Sequence, residues 1–243
     1  MGGILVQSGH EAVWHIANKL MWWRRLHAPE VRRPLHIFGD CVRYQWPVLA
    51  NSLGESSIVY SFGIGTNATF ELDAIAHSGC RIFAFDPTPR SADWAARQRF
   101  PPQLCFKEIG IAAADGEIEF YAPPAQDEVS YSAYGVHRGS DVPVRAPVRS
   151  LGSIMGMLGH GHIDVLKMDI EGGEYDVVQQ LASSDLRPTQ LLVEFHQGFY
   201  GFTADDTRLA VQTLSDAGYR IFWVSDRGLE YGFLSAEMQR SLG

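Results

Sequence analysis

Cysteine is scarce in this chain: Cys41, Cys80 and Cys105 are its three, and no two of them form a Cys-x-x-Cys pair. An odd, scattered set argues against a disulfide framework or a thiolate zinc cluster and fits a reducing compartment. Long apolar runs are also missing. No stretch approaches the roughly 20 residues needed to cross a bilayer, and no basic segment followed by an apolar one opens the chain, so neither a membrane span nor a signal peptide is expected. Val6 stands where a myristoylation signal wants Ser or Thr. Positive charge is in deficit. Twenty Lys and Arg against 28 Asp and Glu leave a formal net charge of −8, which repels nucleic acid phosphates and anionic lipid. The local cluster Arg24, Arg25, Arg32 and Arg33 reads as a solvated face. These absences point to a cytoplasmic protein with a small-molecule ligand and no nucleic acid partner.

What is present is an α/β pattern. From Gly9 to His27 the apolar residues Val13, Ile16, Ala17, Leu20, Trp23 and Leu26 recur at helical steps, so residues 1–53 are expected as an N-terminal helical extension. Its Trp22-Trp23 pair suits a lid, a homodimer contact or packing onto its own domain; Arg33 to Pro47 reads as a connector with at most a short strand. Residues 54–243 then alternate short apolar runs with helical stretches, the signature of βαβ units and a doubly wound, mostly parallel sheet. The expected strands are Ile58–Phe62, Arg81–Phe85, Gln103–Ile109, Ile163–Met168 and Gln190–Phe195. The intervening helices are Thr66–Ser78, one reaching about Arg99, Ser150–Leu158, Gly173–Ala182, and Thr203–Ala217 with Thr203 as N-cap. Asp115-Gly116 is a hairpin signal within Ala112–Tyr121, residues from about Ala122 to Pro147 read as a long loop, and Tyr219–Val224 with Leu229–Leu234 as a C-terminal antiparallel hairpin.

The chemistry begins at Ser61-Phe62-Gly63-Ile64-Gly65, where a strand runs into glycines at a helix start. Glycine there lets the backbone approach a ligand and aims helix N–H groups at it. About 20 residues on, Asp86 ends the next strand, placed to accept bonds from both ribose hydroxyls of a nucleoside. An adenosine-containing cofactor follows, though Gly63, Gly65 and Ala68 also satisfy the dinucleotide pattern, so nicotinamide cofactors stay open.

Three segments occur in one order: Val59 to Gly65, Phe83-Ala84-Phe85-Asp86-Pro87-Thr88-Pro89, and Asp164 to Glu174, which contains Lys167-x-Asp169-x-Glu171-Gly172-x-Glu174; Glu194-Phe195-His196 follows them. Together they resemble the FkbM-type methyltransferases, a class I, Rossmann-like family, over roughly Leu35 to Leu234. The resemblance implies methyl transfer from S-adenosyl-L-methionine, usually to a hydroxyl on a sugar or small natural product. The cofactor set is then Ser61, Gly63, Ile64, Gly65, Asn67, Asp86, Pro87, Ile111 and Asp169. Ser61 departs from the acidic residue that many members carry there to hold the cofactor's amino group; Asp169 or a loop carbonyl is the substitute.

Ligands of doubly wound sheets lie beyond the carboxyl ends of the strands, which singles out Lys167, Asp169, Glu171, Glu194 and His196. Alternation puts Lys167 and Asp169 on one side of the sheet. An alcohol acceptor needs a base, and His196 is the first choice because an ordinary imidazole titrates near neutrality, with Glu194 or Asp169 as orienter or alternative and Lys167 at the developing alkoxide. Glu174 reads equally as a solvated first-turn acid. No metal is expected; if a divalent ion binds, its ligands are Asp169, Glu171, Glu194 and His196. His160-Gly161-His162 reads as a loop pair. Tyr131, Tyr134, Phe199, Tyr200 and Phe202 are candidates for the acceptor pocket or for local core. N- or C-methylation, a nicotinamide-dependent oxidoreductase and a non-catalytic partner subunit are the alternatives; a Tyr-x-x-x-Lys pair, which would favour the oxidoreductase, is missing from the acidic edge.

Overall fold

The computed structural model describes residues 26–40, 45–122, 131–134 and 143–241. The amphipathic segment at Gly9–His27, with its lid and dimer readings, lies almost wholly outside them, as does Cys41. The described part of the expected helical extension contains no helix. It folds instead as an antiparallel ribbon of β1 (Leu35–Phe38) and β2 (Trp46–Leu49).

The central sheet has seven strands: β3 (Ile58–Phe62), β4 (Arg81–Phe85), β5 (Leu104–Lys107), β9 (Val165–Met168), β10 (Gln190–Glu194), β11 (Arg220–Val224) and β12 (Glu230–Leu234). Their spatial order is β11-β12-β10-β9-β3-β4-β5, in which β12 runs antiparallel to both its neighbours. The C-terminal hairpin is thus present, with β12 inserted beside β10. A parallel sheet covered on both faces needs apolar residues on both, and successive residues do separate that way. Tyr60, Phe62, Leu166, Met168, Leu191 and Val193 join one core, while Val59, Val165 and Leu192 join the other.

The first core is closed by α3 (Leu151–Leu158), α4 (Glu174–Ala182) and α5 (Ala204–Asp216); the second by α1 (Thr69–Ser78) and the ribbon, through Phe70, Trp46 and Val48. Thr203 caps α5 as expected. Its hydroxyl accepts from the Asp206 N–H while the Asp206 carboxylate accepts from the Thr203 N–H, a capping box. The helix after β4, α2 (Pro89–Ala95), ends short of Arg99, and a final short helix, α6, covers Ala236–Ser241.

Two expectations are corrected between β5 and α3. Part of the expected long loop is a strand, β8 (Val144–Arg149), and Asp115-Gly116 does not close a local hairpin. β7 (Gly116–Phe120) pairs with β8, which lies between it and β6 (Gly110–Ile111) in a separate three-stranded sheet. Pro147 and the charges of Arg145 and Arg149 hid the strand, because proline cannot donate to a ladder and reads as loop. Asp115 instead accepts a bond from the Ser150 N–H at 2.8 Å. This small sheet carries Ile111, Ile118 and Phe120 to the carboxyl edge of the large one.

Candidate active site

A cleft of about 530 Å³ opens along the carboxyl ends of β3, β4, β9 and β10, within the range of small-molecule sites. One end is built by the glycine loop. Gly63 and Gly65 take φ of 76° and 57°, and the Gly63 N–H donates to the Phe85 carbonyl at 2.9 Å. The expected reason for Gly63 was ligand space, but the structure gives a harder one: a Cβ there would sit 1.6 Å from the Asp169 carbonyl oxygen. The loop after β9 presses directly on the glycine turn.

Asp86 lines this end and is largely committed to its own neighbourhood. One carboxylate oxygen accepts from the Gly65 N–H at 3.0 Å, the other from the Thr88 N–H and hydroxyl at 2.9 and 2.6 Å. Of roughly four lone-pair sites on a carboxylate, about one remains for a ligand, fewer than the pair of ribose bonds expected of it. Ile64, Asn67, Pro87 and Ile111 also line the cleft. Asn67 accepts from the N–H and hydroxyl of Thr69 at the start of α1.

Two residues of the expected set lie elsewhere. Ser61 and Lys167 are register partners on β3 and β9, and both face the core shared with the ribbon. Ser61 is fully buried and donates to Glu71 of α1 at 2.5 Å, while the Lys167 ammonium lies 5.0 Å from the centre of the Trp46 ring. Neither lines the cleft, so Ser61 does not meet a cofactor there and Lys167 does not reach an alkoxide. Glu71 was missed by sequence reasoning: burial raises its pKa, and Lys167 and Ser61 offset this in part. Its place in the first turn of α1, where an acid is ordinarily a solvated favourite of the helix N-terminus, gave no signal.

The other end of the cleft is acidic. Asp169, Glu171, Glu194 and His196 all line it. His196 is buried with Nε2 3.1 Å from Glu171 and 3.8 Å from Asp169, and Nδ1 3.1 Å from Glu174. Burial alone would lower its pKa, but Glu174 and Glu171 outweigh that and raise it well above the ordinary value. Glu171 and Glu174 stand against its two ring nitrogens, so His196 is braced on both sides, and Glu194, the alternative base, lines the same cleft. Burial raises Asp169 to about 6; Lys167 works against the shift and the Glu171 charge adds to it. Glu194 is raised well above the ordinary value, first by burial and then by Asp169 and Glu230.

Glu174 is not a solvated acid. Fully buried, it accepts from the N–H groups of Ile170 and Gly172 at 2.7 and 3.0 Å and so shapes the loop that carries Glu171. Glu171 itself has φ of 54°, uncommon for a residue with a side chain, and accepts from the Tyr200 hydroxyl at 2.6 Å. Tyr134 lines the cleft and donates to Asp176, whereas Phe202 stacks on Tyr175 and acts as local core.

Arg227 is the second residue that sequence reasoning missed, since Asp226-Arg227-Gly228 showed only a turn. Register places Glu194 directly opposite Glu230 across β10 and β12, a like-charge pair that costs stability. Arg227 forks between them, 2.8 Å from Glu194 and 3.2 Å from Glu230. That bond draws Glu194 away from the other acids: donor atoms of Asp169, Glu171 and His196 lie within 4.8 Å of one another, and Glu194 is not in that group. The pair His160 and His162 lies at the opposite edge, bonded to Tyr60 and Asp164. Among the described residues no helix is long and apolar enough to cross a membrane.

Comparison with known proteins agrees with the motif order. The chain is similar to probable methyltransferase-like protein 24 of Homo sapiens, 30% identical over 169 residues, and of Rattus norvegicus, 30% identical over 155. The matches cover 69% and 63% of this chain but only 38% and 36% of those proteins, so the chain spans well under half the length of these curated relatives. Among solved structures, the methyltransferase FkbM of Methylobacillus flagellatus KT aligns over 93% of this chain and 60% of its own, at 14% identity and a TM-score of 0.47. A family model described as the methyltransferase FkbM domain matches residues 57–221, which is most of the sequence, and the chain therefore belongs to the FkbM methyltransferase family.

Proposed function

We propose that the protein transfers a methyl group from S-adenosyl-L-methionine to a hydroxyl of a small molecule, a sugar or a small natural product. One observation carries the reading. A single cleft joins a nucleoside end, made of Gly63, Gly65, Asp86 and the apolar Ile111 and Ile118, to an acidic end made of Asp169, Glu171 and Glu194. A cofactor with an adenosine at one end and a cation at the other fits that polarity. The residues that would hold it are the loop backbone at Gly63 to Gly65, Asp86 for the ribose and Asp169 for the charged end.

When bound, that cofactor supplies a sulfonium methyl, already a good electrophile, so alignment and proton removal are left to the protein. Glu194 is the base in this reading. Arg227 holds one of its oxygens at 2.8 Å, fixing the carboxylate at the cleft wall. With the cofactor bound, Glu194 would take the proton from the acceptor hydroxyl as that oxygen is methylated, leaving the spent cofactor as a neutral thioether. His196 braces Glu171 and Glu174 as a positioning residue.

The test is calorimetric titration with S-adenosylhomocysteine beside NAD, followed by incubation with S-adenosyl-L-methionine and a panel of glycosides and hydroxylated small molecules. Saturable binding of the first alone, and a product heavier by one CH₂ at oxygen, is the expected result. Binding of NAD alone, or methylation only at nitrogen or carbon, would overturn the cofactor or the acceptor respectively.

A further inference from the structure

We propose that Asp169, Glu171 and His196 bind one divalent cation of the Mn²⁺ or Mg²⁺ type. The site shares Asp169 with the cofactor's charged end as read above, and use of the ion to hold and acidify the acceptor oxygen rests on that reading.

Geometry comes first. His196 Nε2 lies 3.1 Å from Glu171 Oε2 and 3.8 Å from Asp169 Oδ1, and all three donors fall within 4.8 Å of one another. Donors held ~2.1 Å from a shared octahedral ion at right angles are ~3.0 Å apart, so the triangle needs little adjustment to share one ion. Two carboxylates with one imidazole suit Mn²⁺ or Mg²⁺ better than a structural zinc, which prefers thiolates.

A second observation is independent of the triangle. The His196 side chain is 8% exposed, and Nδ1, though 3.1 Å from Glu174, has no well-aligned hydrogen bond there. Glu174 is fixed in place by two backbone N–H groups. A ligating imidazole is usually backed by a carboxylate on its far nitrogen, which turns the near one toward the ion. Glu174 stands where that backing group belongs, and a small rotation of the ring would align it.

The site is also held ready before any ligand arrives. Glu171 keeps its left-handed backbone while its carbonyl accepts from the Ser132 hydroxyl at 2.7 Å. Such strain persists only where surrounding contacts enforce it, and it gathers at functional sites. Arg227, shared between Glu194 and Glu230, is not available to neutralise Asp169.

Chelator-treated protein titrated with Mn²⁺, the free ion followed by electron paramagnetic resonance, tests the site. One saturable site per chain is expected, at least tenfold weaker in Glu171→Gln and His196→Ala. Glu174→Gln should also weaken it, by about 10- to 100-fold, as the loss of a backing group does. Any variant lacking cooperative melting is replaced by the near-isosteric Asp169→Asn. Absence of a saturable site, or equal affinity in the folded variants, overturns the proposal. S-adenosylhomocysteine binding to the same metal-free protein separates the two readings. Its loss with Mn²⁺ binding intact sinks the methyltransferase reading alone, and the reverse sinks the metal site alone.

Discussion

Asp86 and Asp169 both follow directly on the last residue of a parallel strand, and both line the same cleft, yet they sit in opposite circumstances. Asp86 is surrounded by donors within its own segment and the adjoining glycine loop, and three bonds define it. Asp169 faces Glu171 and His196 and is raised to about 6, with burial the main cause. The glycine-loop end of the cleft is organised by backbone, which a short motif encodes. The acidic end is organised by convergence of the loop after β9, the end of β10 with His196 just past it, and the turn between β11 and β12, so its properties emerge only once those parts meet.

The largest expected effect would break the wall between the two ends. Gly63→Ala places a methyl 1.6 Å from the Asp169 carbonyl, at a φ of 76°. No side-chain rotation relieves a clash between backbone and Cβ, so the variant should lack cooperative unfolding by calorimetry; a normal melt would mean that the loop after β9 is movable. Next comes proton removal. Glu194→Gln keeps the shape and the Arg227 contact but removes the basic oxygen, and should lower turnover by about 10²- to 10⁴-fold with cofactor affinity little changed. A wild-type rate would hand the role to Asp169.

Asp86→Ala acts on the other end and should do the reverse. S-adenosylhomocysteine binding is expected to weaken by about 1.5–3 kcal/mol, roughly 10- to 150-fold, with turnover at saturation nearly preserved. Equal losses in turnover and affinity would erase the distinction between the two aspartates.

Legibility follows the same division. The strand ends at Phe62, Phe85 and Met168 and the glycine loop were readable because apolar runs and φ-permissive residues are local signals. β8 was not, since Pro147 and two arginines obscure its alternation. Asp169, Glu171, Glu194 and His196 were readable as a group, but not their division of labour. Nothing local says that Glu174 turns inward to back His196, or that Arg227 crosses 33 residues of chain to hold Glu194. Lys167 and Asp169 share a parity, but parity holds only while the strand lasts, and β9 ends at Met168.

Glu71 is a third kind of carboxylate, enclosed with neither a ring of backbone donors nor a cleft, and it supplies the smallest effect. Its folded pKa lies above that of an unfolded glutamate because burial disfavours the charge more than Lys167 and the Ser61 hydroxyl favour it. The folded state therefore holds a proton that the unfolded chain has released once pH exceeds about 4.5. Stability from this group is full below that pH and declines as pH rises toward the folded value. Glu71→Gln keeps an oxygen for Ser61 and cannot ionise, so it should remove that decline. In urea unfolding, the stability of the variant relative to wild type should grow more favourable from pH 5 to pH 8. A difference that stays flat would mean that Glu71 ionises as easily inside as outside. A difference that falls with pH would mean that the Lys167 charge outweighs burial, making Glu71 and Lys167 an ion pair beneath the glycine loop.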